Sequence, residues 1–281
     1  MKERLHRFDL FLLFLVCGLL VFLVFSHFRP LLPADIDIPA RIGLIIAFLT
    51  TALLIRRSER LKKYWLVFFA FFAAAFALSL DLYLSHWSLR LLSLDINTPA
   101  GYAVDKLEST FLIVISIIVL TKVSGSDMAS IYLKRGTLKL GLVIGIVVFL
   151  VIAAVSIPWA EWQFQGRDLS LERVIPWTPW ILLFVLTNAI NEELLFRGLF
   201  LRKLEPFLGA FPSNLLIAIV FTIMHVGVDY TPDVLMFLAF LLPLGLAMGY
   251  VMQKTDSVLG SVLIHAAVDI PVVIGLYSTL S

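Results

Sequence analysis

Asn188-Ala189-Ile190-Asn191-Glu192-Glu193-Leu194-Leu195-Phe196-Arg197-Gly198 sets two adjacent glutamates, two asparagines and an arginine inside an apolar stretch long enough to cross a bilayer. An ionisable group at the centre of a membrane helix costs about 2.5–3.5 kcal/mol on insertion scales, so it is read first as a functional group whose partners must be found. The rest of the chain agrees with that setting. Of 281 residues, 60% are hydrophobic and 15% charged, against roughly 45–50% and 25% in soluble domains. An all-α, polytopic transmembrane bundle is expected, because a helix satisfies its backbone polar groups within its own segment. The net charge of +2 comes from short basic clusters between apolar runs, which offers no nucleic-acid face. The single cysteine, Cys17, lies in the first apolar run and provides neither a disulfide framework nor a metal cluster.

Working outward, nine runs approach the roughly 20 residues that span a hydrocarbon core. They lie at about 9–27, 39–55, 64–84, 108–123, 138–158, 177–204, 213–229, 233–252 and 257–278. The second, fourth and seventh are short, so eight or nine spans are expected. The first is read as a retained span, because it is long for a signal segment and no small-residue cleavage site follows it. With the N-terminus cytoplasmic and nine alternating spans, 16 basic residues fall inside and 6 outside. The positive-inside rule therefore predicts a cytoplasmic N-terminus and an external C-terminus. Short amphipathic helices are expected near Leu91 or Leu169. Gly141-x-x-x-Gly145 and Gly245-x-x-x-Gly249 are expected to be faces where helices approach closely.

Three later stretches can meet the central one. Glu193 and Arg197 are four apart and pair on one helix face, whereas Glu192 is rotated away and needs another partner. Phe221-x-x-x-His225 lies about as far after the Gly209–Pro212 turn as Glu192 lies before it. His265-x-x-x-Asp269 sits at a similar depth in the last span, its two polar residues on one face. Pro243 and Pro271 can kink the last two helices and open a cavity. A carboxylate withdrawn from water can act as a general base near neutral pH, a histidine can share the water it activates, and further donors can hold an oxyanion. That is a kit for hydrolysing an amide inside the membrane. No H-E-x-x-H or G-x-S-x-G motif competes with it. Ser261, four residues before His265, is read as a packing residue.

These three motifs in this order resemble the signature of the CPBP family, the CAAX proteases and bacteriocin-processing enzymes also called Abi proteins. The resemblance covers roughly residues 175–275. It implies a glutamate-type intramembrane endopeptidase acting on a membrane-anchored or leader-bearing protein, with Glu192 as general base and His225 as its partner on the water. It further implies that His265 stabilises the oxyanion with help from Asp269, and that Glu193 and Arg197 form a supporting pair. Some members carry Asn at the last position, a ready donor. Asp269 donates only when protonated, or else orients His265 or a water.

No cofactor is expected. The alternative is a zinc-dependent protease with Glu192, His225, His265 and Asp269 as ligands. Residues 1–160 are expected to be transmembrane helices of unassigned role and 161–281 the catalytic bundle. The expected partners are the lipid bilayer and a protein or peptide substrate, with no nucleic acid. Two rival functions use the same residues. A non-catalytic immunity or binding protein would keep the fold, and an ion-coupled transporter would use the buried acids as relays but usually shows internal repeats, which are absent here.

Overall fold

The computed structural model describes residues 2–25 and 31–280, so the end of the first predicted span and His27 lie outside the described residues. Among the described residues the fold is all-helical, with no strand. The first half comprises α1 (Lys2–Val24), α2 (Ala34–Arg57), α3 (Trp65–Leu84), the short α4 (Trp87–Leu92), α5 (Pro99–Val123) and α6 (Leu138–Gln163). The second half comprises α7 (Leu171–Val174), α8 (Thr178–Glu192), α9 (Leu199–Leu208), α10 (Ala210–Met224), α11 (Val234–Thr255) and α12 (Leu259–Thr279). Among the described residues, eight helical segments are long and apolar enough to cross a membrane. Large apolar side chains such as Val143, Val147, Leu150 and Val151 on α6 point outward. The chain is a multi-pass integral membrane protein.

The predicted fourth span is the one outside those eight, because Asp105, Lys106, Glu108 and Lys122 interrupt α5. Its apolar run begins near 108, but the helix starts nine residues earlier. Thr98 caps it, accepting a hydrogen bond from the Gly101 amide at 3.1 Å, with Pro99 at the first helical position. Residues 99–106, expected in a loop, are therefore helical. Helix α2 likewise begins at Ala34 rather than at 39. The predicted turn after the sixth span falls at Gly209, whose φ of +91° suits a residue without a Cβ.

Lipid supplies no hydrophobic force between helices, so close packing has to hold the bundle. Helix α6 lies against α12, where a Cβ at Gly145 would come within 2.6 Å of the Leu263 side chain, and one at Gly141 within 3.5 Å of the Gly260 nitrogen. Helix α11 approaches α10 at Gly249, where a Cβ would meet Asn214 Oδ1 at 1.9 Å. Asn214 Nδ2 donates to the Leu246 carbonyl at 2.8 Å. Helix α1 docks through aromatic rings. Phe22 stacks on Phe196 at 4.2 Å between centroids, and Phe71 of α3 meets Phe200 of α9 at 4.9 Å. Helices from the first 160 residues thus flank the later helices on two sides.

Candidate active site

Helix α8 ends at Glu192, and Glu193–Gly198 continue it as a π-helical turn. Such wide turns are rare and concentrate at functional sites. Glu193 and Arg197 are both 0% exposed. Arg197 Nη1 donates to Glu193 Oε1, the pair expected from their spacing. Arg197 Nη2 lies 3.3 Å from the Gly245 carbonyl, and the guanidinium sits 4.8 Å from the Phe221 ring centre. A Cβ at Gly245 would come within 3.3 Å of Nη2, so the small residue there admits the arginine.

Two more donors reach Glu193 from α12. Ser261 Oγ donates to Oε2, and His265 Nδ1 lies 2.8 Å from Oε1. An ionised carboxylate only accepts, so Nδ1 carries the hydrogen. Glu193 is thereby surrounded by an arginine, a serine and a histidine. Ser261 is not the inert packing residue expected, and its hydroxyl completes this network.

Glu192 is differently placed. Its side chain is 14% exposed, and Oε2 lies 3.6 Å from His265 Nε2. Asp269 Oδ1 lies 3.7 Å from the same nitrogen. Both separations exceed the roughly 2.7–3.2 Å of a direct N–H···O bond. Asn188, four residues before Glu192, donates through Nδ2 to Asp269 Oδ2 at 2.9 Å. His225 follows the last residue of α10, and its Nδ1 donates to the Phe221 carbonyl at 2.7 Å. In the neutral ring this makes Nε2 the basic nitrogen.

Asn188, Glu192, His225, His265 and Asp269 all line one cavity of about 480 Å³. Its other walls are mainly apolar and aromatic, including Phe164, Phe184, Phe237, Leu244 and, from α6, Val148 and Ile152. Few convergent polar groups in an apolar pocket is the usual form of a ligand site. The structure therefore brings the four candidate catalytic residues to one cavity and sets the supporting pair behind them. Asn188 and Ser261 were not singled out as site residues. Their signal was the same four-residue spacing, Asn188 to Glu192 and Ser261 to His265, that marked the other pairs. Among the described residues, no group of three or more His, Cys, Asp or Glu side chains is arranged to hold a metal ion.

Comparison with known proteins adds an independent observation. A search of the curated proteins and of the solved structures found no match. Residues 174–271 match the family model described as type II CAAX prenyl endopeptidase Rce1-like. The match runs from the end of α7 into α12 and contains all three motifs. Residues 174–271 are thus similar to the CPBP family, the family of CAAX-type intramembrane proteases.

Proposed function

We propose that the protein is an intramembrane endopeptidase of the glutamate type. The observation that carries this reading is the convergence of Glu192, His225 and His265 on one apolar cavity. Glu192 takes a proton from a water held with His225, and the water oxygen bonds to the scissile carbonyl carbon. The resulting oxyanion is held by Nε2–H of a doubly protonated His265, whose Nδ1–H is fixed by Glu193. Asp269, fixed by Asn188, orients that ring. Collapse breaks the C–N bond, and the proton on Glu192 passes to the leaving amine. Preorganised donors of this kind act most strongly where water is excluded.

An apolar cavity inside a membrane protein suits a substrate that carries an apolar anchor near its scissile bond, such as a lipidated tail or a transmembrane segment. Residues 161–281 supply the chemistry, and the helices before 160 wall the site. Helix α5, 25 residues long, is taken as a ninth crossing despite its charges, so that the N-terminus is cytoplasmic and the C-terminus external, as the basic residues favour. The test is cleavage of lipid-anchored and leader-bearing substrates in proteoliposomes by wild type and Glu192→Gln, with and without a chelator. Cleavage lost in the variant and insensitive to chelator is the expected result. Chelator sensitivity reversed by Zn²⁺ would instead make Glu192, His225, His265 and Asp269 metal ligands, and equal cleavage by both proteins would sink the proposal.

A further inference from the structure

Glu192 stands between two cavities. The second, of about 440 Å³, lies among α1, α3, α5 and the α8–π segment. Tyr102, Lys106, Phe184 and Glu192 line both. The walls of the second are polar over a larger share. At one end are Ser85 and His86, just past the C-terminus of α3, with the His86 side chain 54% exposed and its Nδ1 2.8 Å from Asp105 Oδ1. Asp81 and Ser109 follow, the serine donating to Asp81 Oδ2 at 2.9 Å. Glu108 accepts from the Trp87 and Ser88 amides at 3.2 and 2.7 Å, holding the start of α4. At the inner end Asn191 is 4% exposed, and its Oδ1 has no hydrogen-bond partner among the described residues. An unsatisfied buried acceptor costs about 1–3 kcal/mol. A polar cavity this roomy accommodates waters, each of which needs two to four polar partners.

We propose that the second cavity is the water inlet of the enzyme and that Asn191 is the positioning residue at its inner end; this rests on the endopeptidase reading above. Each peptide bond cut consumes a water molecule. A substrate whose apolar part fills the first cavity closes that side to water. The nucleophile then enters past the exposed His86–Asp105 pair, runs along Asp81 and Ser109, and reaches Glu192 with one hydrogen donated to Asn191 Oδ1. The substrate and its water thus arrive from opposite sides of the same carboxylate.

The test uses the full chain in proteoliposomes with Cys17→Ser and a reporter thiol from Glu192→Cys. The probe is 2-aminoethyl methanethiosulfonate, a charged, water-borne reagent. With the first cavity filled by Leu244→Trp, as a substrate would fill it, Ser109→Phe in the middle of the second cavity and Ser85→Trp at its mouth are each expected to slow modification about tenfold or more, because access limits the thiol. Leu244→Trp alone is expected to leave most of the rate, carried by the second cavity. The reverse order overturns the proposal. With Glu192 restored, Ser85→Trp and Asn191→Leu are expected to lower kcat about tenfold with KM unchanged. A raised KM at unchanged kcat would give this cavity to the substrate and equally overturn the proposal. Cleavage that survives Glu192→Gln removes the glutamate mechanism by itself, and the labelling order, which needs no substrate, still decides the water route.

Discussion

Glu192 and Glu193 are neighbours in the chain and opposites in their surroundings. Glu193 faces α12, is 0% exposed, and receives Arg197, Ser261 and His265. Glu192 faces the cavities, keeps 14% exposure, and has His265 Nε2 at 3.6 Å. A saturated carboxylate has no oxygen left for a substrate water, whereas an open one does. The difference teaches how one bundle can hold an acid for structure and an acid for chemistry side by side. The first is paid for by its partners, and the second is stabilised only in part.

The sharpest way to break this contrast is to remove each charge in turn. Glu192→Gln should cut kcat by about 10³-fold or more, since losing a general base typically costs 10²–10⁴. Its thermal midpoint in detergent should stay near that of wild type. A large fall in thermal stability would place Glu192 with the structural acids. Arg197→Ala should do the reverse, destabilising by about 3–5 kcal/mol because buried Glu193 loses its permanent counter-charge and keeps only Ser261 and His265. Thermal unfolding and the yield of folded protein measure it, and normal values for both would refute the pairing argument. Ser261→Ala removes a neutral donor from a charged acceptor and should lower stability by about 1.5–3 kcal/mol. A smaller loss of kcat should accompany it, read on the fraction that remains folded. Asp269→Asn is expected to have the smallest effect, within a few-fold in kcat/KM by steady-state kinetics, because an amide can still face His265 and Asn188. Loss comparable to Glu192→Gln would give the Asp269 charge a direct part in the reaction.

The parts of this arrangement legible in the sequence were those carried by local spacing. Glu193 and Arg197, and His265 and Asp269, were paired four residues apart, and the structure puts each pair in register. Equal distances from the Gly209 turn brought Glu192 and His225 to one level, which is helix geometry applied twice. Asn188 and Ser261 carried the same spacing, but their small polar side chains are common in ordinary helix packing and do not announce a partner. The start of α5 was missed because Asp105, Lys106 and Glu108 disguise its first turns as loop, while the Thr98-Pro99 cap marks them as helix. Nothing local could reveal the second cavity. Its walls come from residues as far apart as Phe22, Ser109 and Met224, and only tertiary packing joins them.

The π turn at Glu193–Gly198 has one consequence for how the chain tolerates change in length. Such a turn holds an extra residue compared with an α-helical one, so it sets the phase between the helix before it and the helix after it. Upstream, Asn188 and Glu192 look into the cavity. Downstream, Phe200 and Leu204 are buried in the core, with Phe200 against Phe22 and Phe71. Deleting a single residue between 193 and 198 would let the segment relax to a regular α-helix while the helices on either side keep roughly their present phase, because the wide turn already takes up the extra residue. The same deletion inside α8 or α9 would instead rotate one half against the other by about 100°, and the catalytic face and the docking face could not then both be met. The π turn is thus the place in this span where a change of one residue in length is tolerated.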